Sequence, residues 1–147
     1  GYEHRNMGLE RDVEKGTIST NPENHELMVR ARQAKIAQIA DSIPALQLIN
    51  AQQNKDVLLV GWGSTEGHLH AAANELGCAL AQFNYICPLP RNTREVLSQY
   101  KRIIVCELNT GQFATYLRAQ FPEITFEQYN EIQGQPFAIE RIVNFVK

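Results

Sequence analysis

"VLLVGWGSTEGHLHAAANELG", residues 57–77, decides the fold. Its opening, VLLVG (57–61), is an uninterrupted apolar run of the kind found in a strand buried on both faces. Glycines then break the strand at Gly61 and Gly63, and residues 65–76 read as a helix. Ser64 or Thr65 is placed to cap it. A strand, a tight turn and a helix in this order make one unit of an α/β sheet.

A glycine turn of this kind raises the question of phosphate binding. A dinucleotide site needs GxGxxG, followed about 20 residues later by an acid for the ribose. Here the glycines are Gly61, Gly63 and Gly67, one residue too far apart at the third position. The later region holds Gln82, Asn84 and Tyr85 instead of an acid. No lysine follows the glycines, so the Walker pattern fails as well. Trp62 puts a large ring where a phosphate loop wants bare backbone. What remains is a turn at the carboxyl end of a central strand, either a structural corner or an interface.

Outward from this stretch the same alternation recurs. ALQLI (45–49) alternates like a strand, and AQQNKD (51–56) is a polar link. CALAQFNY (78–85), RIIVCEL (102–108) and ITFEQY (124–129) read as three more strands, and ICPLP (86–90) as a rigid loop. Asn92 and Glu95 have capping-box spacing before a short helix ending near Tyr100. Asn109 and Gln112 repeat that spacing before a helix to about Gln120. Pro122 ends it, and Pro136 opens a terminal helix. Five strands alternating with helices call for a mainly parallel sheet covered on both faces.

Upstream, Asn21 and Pro22 are a good cap and first residue for a helix over 22–42. Leu27, Met28, Ala31, Ala34, Ile36, Ala37 and Ile39 form its apolar stripe, suited to bracing the domain. Pro44 stops it. Residues 1–20 are polar, contain three glycines and show neither period. They read as a connector or arm, and a chain that opens on a connector reads as a piece of a longer protein. The expected division is therefore an arm over 1–20 and a domain over 21–147.

Composition narrows the class. A net charge of −2, with basic residues scattered over 147 positions, gives no nucleic-acid footprint. No apolar run approaches the roughly 20 residues of a membrane helix, and no secretory leader pattern is seen. Cys78, Cys87 and Cys106 lack CxxC spacing, so reduced thiols in a cytoplasmic protein are expected.

Chemistry-bearing residues are few. His68 and His70 are two apart on a helix, which sends them to different faces, and no metal site is expected. His70 and Asn74 share a face as a polar pair. Cys106 reads as buried and inert. Cys87, in the loop, is the most reactive thiol, although no base stands near it in sequence. No GxSxG elbow occurs. No residue is therefore assigned a catalytic role. The candidates for ligand or interface contact lie at the carboxyl ends of central strands, where a cleft forms in such sheets. They are Gly61, Trp62, Gly63, Ser64 and Thr65, with Glu107, Asn109, Gly111 and Gln112.

Three stretches read together go further: LLVGWGSTEG (58–67), FNYICPLPRN (83–92) and IIVCELNTGQFATYLR (103–118). In this order and spacing they resemble the α subunits of the 2-oxoacid:ferredoxin oxidoreductases, most closely the 2-oxoglutarate type. The similarity covers about residues 20–147. Its most specific piece is the Glu-Asn-x-x-Gly-Gln form, here Glu107, Asn109, Gly111 and Gln112 with Leu108 inserted after the acid. GYEHRNMG (1–8) is similar to the incoming connector, with Arg5 and Asn6 where the family more often has acids.

The resemblance implies a transketolase carboxyl-terminal-like domain: three layers, α/β/α, with a mixed, mostly parallel five-stranded sheet whose first strand is antiparallel. It also implies oxidative decarboxylation of a 2-oxo acid to an acyl-coenzyme A, with electrons passed to ferredoxin. Thiamine diphosphate with Mg and an iron–sulfur cluster would then lie on a partner β subunit, since this chain has neither a GDG-type diphosphate motif nor a cluster cysteine set. The partners implied are that β subunit, the upstream domain of the same α subunit and, for the whole complex, ferredoxin. On this reading the domain shapes an interface and is inactive alone. The alternatives are a module binding coenzyme A or a nucleotide at Gly63–Thr65, and an oligomerisation domain using the stripe of the first helix.

Overall fold

The computed structural model describes residues 8–51 and 54–147, so the connector-like stretch over 1–7 and its His4 lie outside the described residues. The chain divides into two compact units between Ile43 and Pro44.

In the first unit, helix α1 spans Pro22–Ile39. The Asn21 side chain accepts the Asn24 N–H at 2.8 Å, so the expected cap forms. The helix stops five residues before Pro44, with the Ala40 and Asp41 N–H groups turned back to the Ala37 and Gln38 carbonyls. Its apolar stripe is not a buried seam: Leu27, Ile36 and Ile39 are exposed, and the buried residue is Asn24. Periodicity alone overstated the packing, because three of the seven stripe residues are alanine and bury little surface.

The preceding segment is more ordered than its composition suggests. Arg11 and Ile18 form an antiparallel bridge. Asp12 closes the turn between them by accepting the N–H groups of Glu14 and Lys15 at 3.0 and 2.8 Å. Asn24 fastens this turn to α1, accepting from Val13 N–H at 3.0 Å and donating to the Arg11 carbonyl at 2.7 Å. Glu10 adds a bond to His25 at 2.6 Å and one to Arg32 at 3.2 Å. The hydrogen bond from Arg32 is the largest of the contacts that hold its carboxyl at about 2.

The second unit is the sheet domain. Its strands are β1 (Leu48–Ile49), β2 (Asn54–Trp62), β3 (Cys78–Phe83), β4 (Arg102–Glu107) and β5 (Phe126–Asn130). They lie in the order β1-β3-β2-β4-β5. β1 runs antiparallel to β3, and the other pairings are parallel. The helices are α2 (Glu66–Leu76), α3 (Thr93–Leu97), α4 (Gln112–Gln120) and α5 (Ile139–Val146). The three-layer mixed sheet with an antiparallel first strand is thus the observed fold.

Alternation along the strands makes two cores. Leu58, Val60, Ala79, Ala81, Phe83, Ile103 and Val105 pack under α3 and α4 with Leu97, Phe113, Ala114 and Leu117. Leu59, Leu80, Ile104 and Cys106 pack under α2 and α5 with Leu69, Ala72, Ala73, Ile142 and Val143. Burial on both faces explains why β2 and β4 read as unbroken apolar runs. Among the described residues no helix is long and apolar enough to cross a membrane.

Two expected capping boxes are built differently. Asn92 makes no side-chain bond to α3. Its amide instead clasps Leu46, accepting from the N–H at 2.8 Å and donating to the carbonyl at 3.0 Å. At α4, Asn109 accepts the N–H groups of Gly111 and Gln112 at 2.7 and 3.0 Å. The next two N–H groups, of Phe113 and Ala114, go to Glu107. The Thr65 hydroxyl, expected to cap α2, donates back to the Trp62 carbonyl at 2.9 Å. Asn74 bonds Asn50 at 2.7 Å, so the expected pairing with His70 is not its main contact.

Candidate functional site

The carboxyl ends of β2 and β4 are neighbours in the sheet, and they bring most of the predicted residues together. The centre is Glu107, the last residue of β4, which is wholly buried. A buried carboxylate is costly unless its lone pairs are filled. Here four donors fill them. Phe113 N–H and Ala114 N–H bond at 2.8 and 3.0 Å. The Asn109 amide donates at 3.1 Å and the Trp62 indole Nε1–H at 3.3 Å. The acid therefore caps α4, where the helix dipole favours a negative charge.

Gly111 makes the turn into α4 possible. Its φ is +94°, and a Cβ there would lie 2.4 Å from the Gln128 amide nitrogen. Gly61 is a close approach of a different kind. A Cβ at that position would meet Leu69 Cδ1 at 2.1 Å and Thr65 Oγ1 at 2.9 Å. The chain passes under α2 there because the residue has no side chain.

The nine candidates split between the two faces. Trp62, Glu107, Asn109, Gly111 and Gln112 gather at the start of α4. Gly61 and Thr65 pack beneath α2, where the Gln82 amide donates to the Gly63 carbonyl at 3.0 Å. Gly63 and Ser64 are exposed at the turn between them.

An apolar groove of about 320 Å³ opens beside the first group, lined by Trp62, Ile86, Cys87, Gln112, Phe113 and Tyr116. Phe113 is its floor. It meets Trp62 edge-on at 6.4 Å and Phe83 at 5.0 Å, and stacks with Tyr116 at 6.3 Å. The volume is at the small end for ligand sites, suited to one side chain or a short ligand segment. Sequence reasoning missed Ile86, Phe113 and Tyr116. Phe113 and Tyr116 stand three apart on α4, a spacing that also serves any core helix, and so carried no separate signal.

The thiols differ in environment. Burial pushes Cys78 up to about 11 and Cys106 further up, as expected for inert core cysteines. Cys87 is exposed at the groove. Burial, and then the nearby Cys87 thiol, raises the Tyr116 phenol above its usual value. Among the described residues no three His, Cys, Asp or Glu side chains converge on a point. Cys78 and Cys106 lie in the core under α2 and α5, away from solvent. These residues do not fit an iron–sulfur cluster or a metal-bridged diphosphate.

Comparison with known proteins gives the relationship. No protein-family model matches the chain. Over its whole length it is 38% identical to the 2-oxoglutarate oxidoreductase subunit KorA of Mycobacterium tuberculosis. The chain is thus similar to part of a 2-oxoglutarate oxidoreductase subunit. It is also similar in structure to the 2-oxoglutarate:ferredoxin oxidoreductase from Magnetococcus marinus, with a TM-score of 0.85 and 30% identity over 98% of this chain. That structure holds 2-oxoglutarate, coenzyme A and succinyl-CoA. The chain spans 23% of the KorA sequence and 26% of the Magnetococcus chain. The resemblance carried by the three quoted stretches therefore holds. The match does not favour the alternative of a free-standing coenzyme A or nucleotide module.

Proposed function

We propose that this chain is a domain of the α subunit of a 2-oxoglutarate:ferredoxin oxidoreductase, and that it forms part of the wall around a reactive centre carried by its neighbours. The whole-length similarity to KorA carries this reading. The complete enzyme would convert 2-oxoglutarate and coenzyme A to succinyl-CoA and carbon dioxide, passing electrons to ferredoxin. Thiamine diphosphate with Mg and the iron–sulfur cluster would sit on the β subunit, in contact with the upstream domain of the same α subunit. The assembly would be cytoplasmic.

Within this chain, the residues proposed for contact are those at the carboxyl end of the sheet. Trp62, Gly63, Ser64 and Gln112 would touch a neighbouring domain or its ligand, because they reach the surface there. Gly61, Thr65, Glu107, Asn109 and Gly111 would shape that surface from behind.

The test is 2-oxoglutarate- and coenzyme A-dependent viologen reduction, by the 147-residue chain and by the complete complex. Turnover is expected in the complex alone. Turnover by the chain alone would contradict its dependence on neighbours, and a complex that reduces viologen only with another 2-oxo acid would contradict the substrate.

A further inference from the structure

We infer that Glu107 is a positioning residue: its carboxylate sets the orientation of the Trp62 indole and so fixes one wall of the aromatic groove. Its consequence for turnover rests on the proposed function, while the geometry stands independently of it.

The order of the bonds gives the direction of control. The two backbone bonds from α4, at 2.8 and 3.0 Å, are shorter than the indole bond at 3.3 Å. One of them goes to each carboxylate oxygen, so α4 fixes both the position and the rotation of the group. The indole then meets an acceptor already held in place. Trp62 follows Gly61, where an added Cβ would already meet Leu69 and Thr65. The ring meets the edge of Phe113 and packs against the core under α4. Those contacts are apolar, and the Nε1–H bond is the directional one among them, which orients the ring.

A glutamine at 107 has the same shape but cannot do the same work. With its oxygen toward Trp62 and Phe113, its NH2 group faces the Ala114 N–H, donor against donor. Turned the other way, the NH2 group faces the Trp62, Asn109 and Phe113 donors; neither orientation keeps both α4 bonds, so the indole meets an acceptor that α4 no longer holds in place. Trp62→Phe makes the complementary change: the α4 cap stays and only the indole donor goes.

The chain contains one tryptophan, so its emission reports Trp62 alone. In the full chain, Glu107→Gln is expected to shift the emission to the red and increase acrylamide quenching while helical dichroism is retained. A folded Glu107→Gln chain with unchanged emission and quenching would overturn the inference. A second measurement needs no variant. In the wild-type chain the indole N–H is expected to exchange with solvent about tenfold or more slowly than free indole; an unprotected N–H would overturn the inference even if Glu107→Gln failed to fold. In the complete complex, Trp62→Phe is expected to lower kcat/KM for 2-oxoglutarate by about threefold or more at unchanged Tm. Unchanged kcat/KM would overturn the functional consequence. A wild-type complex without 2-oxoglutarate turnover would sink the proposed function instead, leaving emission and exchange to decide the role of Glu107.

Discussion

Glu107 shows how a residue can be noticed in sequence without its partners being visible. An acid at the end of an apolar strand is unusual enough to single out, and Asn109 two positions later suggests a cap. Trp62 lies 45 residues upstream, and only the parallel register of β2 and β4 brings the indole to the carboxylate. No spacing rule records such a contact. The glycines were legible as a turn but not as close approaches, because the obstacle at Gly61 is Leu69 on the following helix. Gly61→Ala should therefore destabilise the chain by about 1–3 kcal/mol through overpacking, measured by urea unfolding. Gly111→Ala, at φ +94° with Gln128 in the way, should cost about as much from backbone strain. A neutral result at either position would contradict the packing described.

At the scale of elements, strand and helix types were readable because period and length agree with burial on both faces. Ends were not. ALQLI contributes only Leu48 and Ile49 to the sheet, since Leu46 is held by the Asn92 side chain instead of a neighbouring strand. Asn92→Ala should leave that backbone pair without partners and cost about 1–2 kcal/mol, again read by urea unfolding. A second clasp joins three elements. Arg102 on β4 bonds Glu127 on β5 through two parallel contacts, at 2.7 and 2.8 Å, and also reaches the Val146 carbonyl on α5. The Arg102 hydrogen bonds hold the Glu127 carboxyl below its ordinary value of 4.5. A depressed folded pKa gives stability that is fully present above 4.5 and is lost as pH falls through the folded value. Glu127→Gln should lower Tm at neutral pH and by less in acid, with a small and salt-sensitive difference because both side chains are partly exposed. A difference that grew on acidification would contradict this sign.

For the whole molecule, the sequence resolved the architecture of the sheet domain and its resemblance to one enzyme family. The same alternation that builds an α/β sheet also aims its loops at a common edge. The first unit was less legible, since the Arg11–Ile18 turn is one short bridge reinforced by side-chain bonds from Asp12 and Asn24 that leave no periodic trace. The groove was hidden for a related reason: its aromatic walls come from β2, the 86–87 loop and α4, each ordinary by itself. What these parts share is a surface at the carboxyl end of the sheet, shaped by a buried acid. The most direct test is 2-oxoglutarate-dependent viologen reduction by the complete complex, compared with one whose α subunit lacks residues 44–147. The account predicts that the truncated complex loses turnover while its remaining subunits stay folded. Full-rate turnover by a truncated, intact assembly would contradict it.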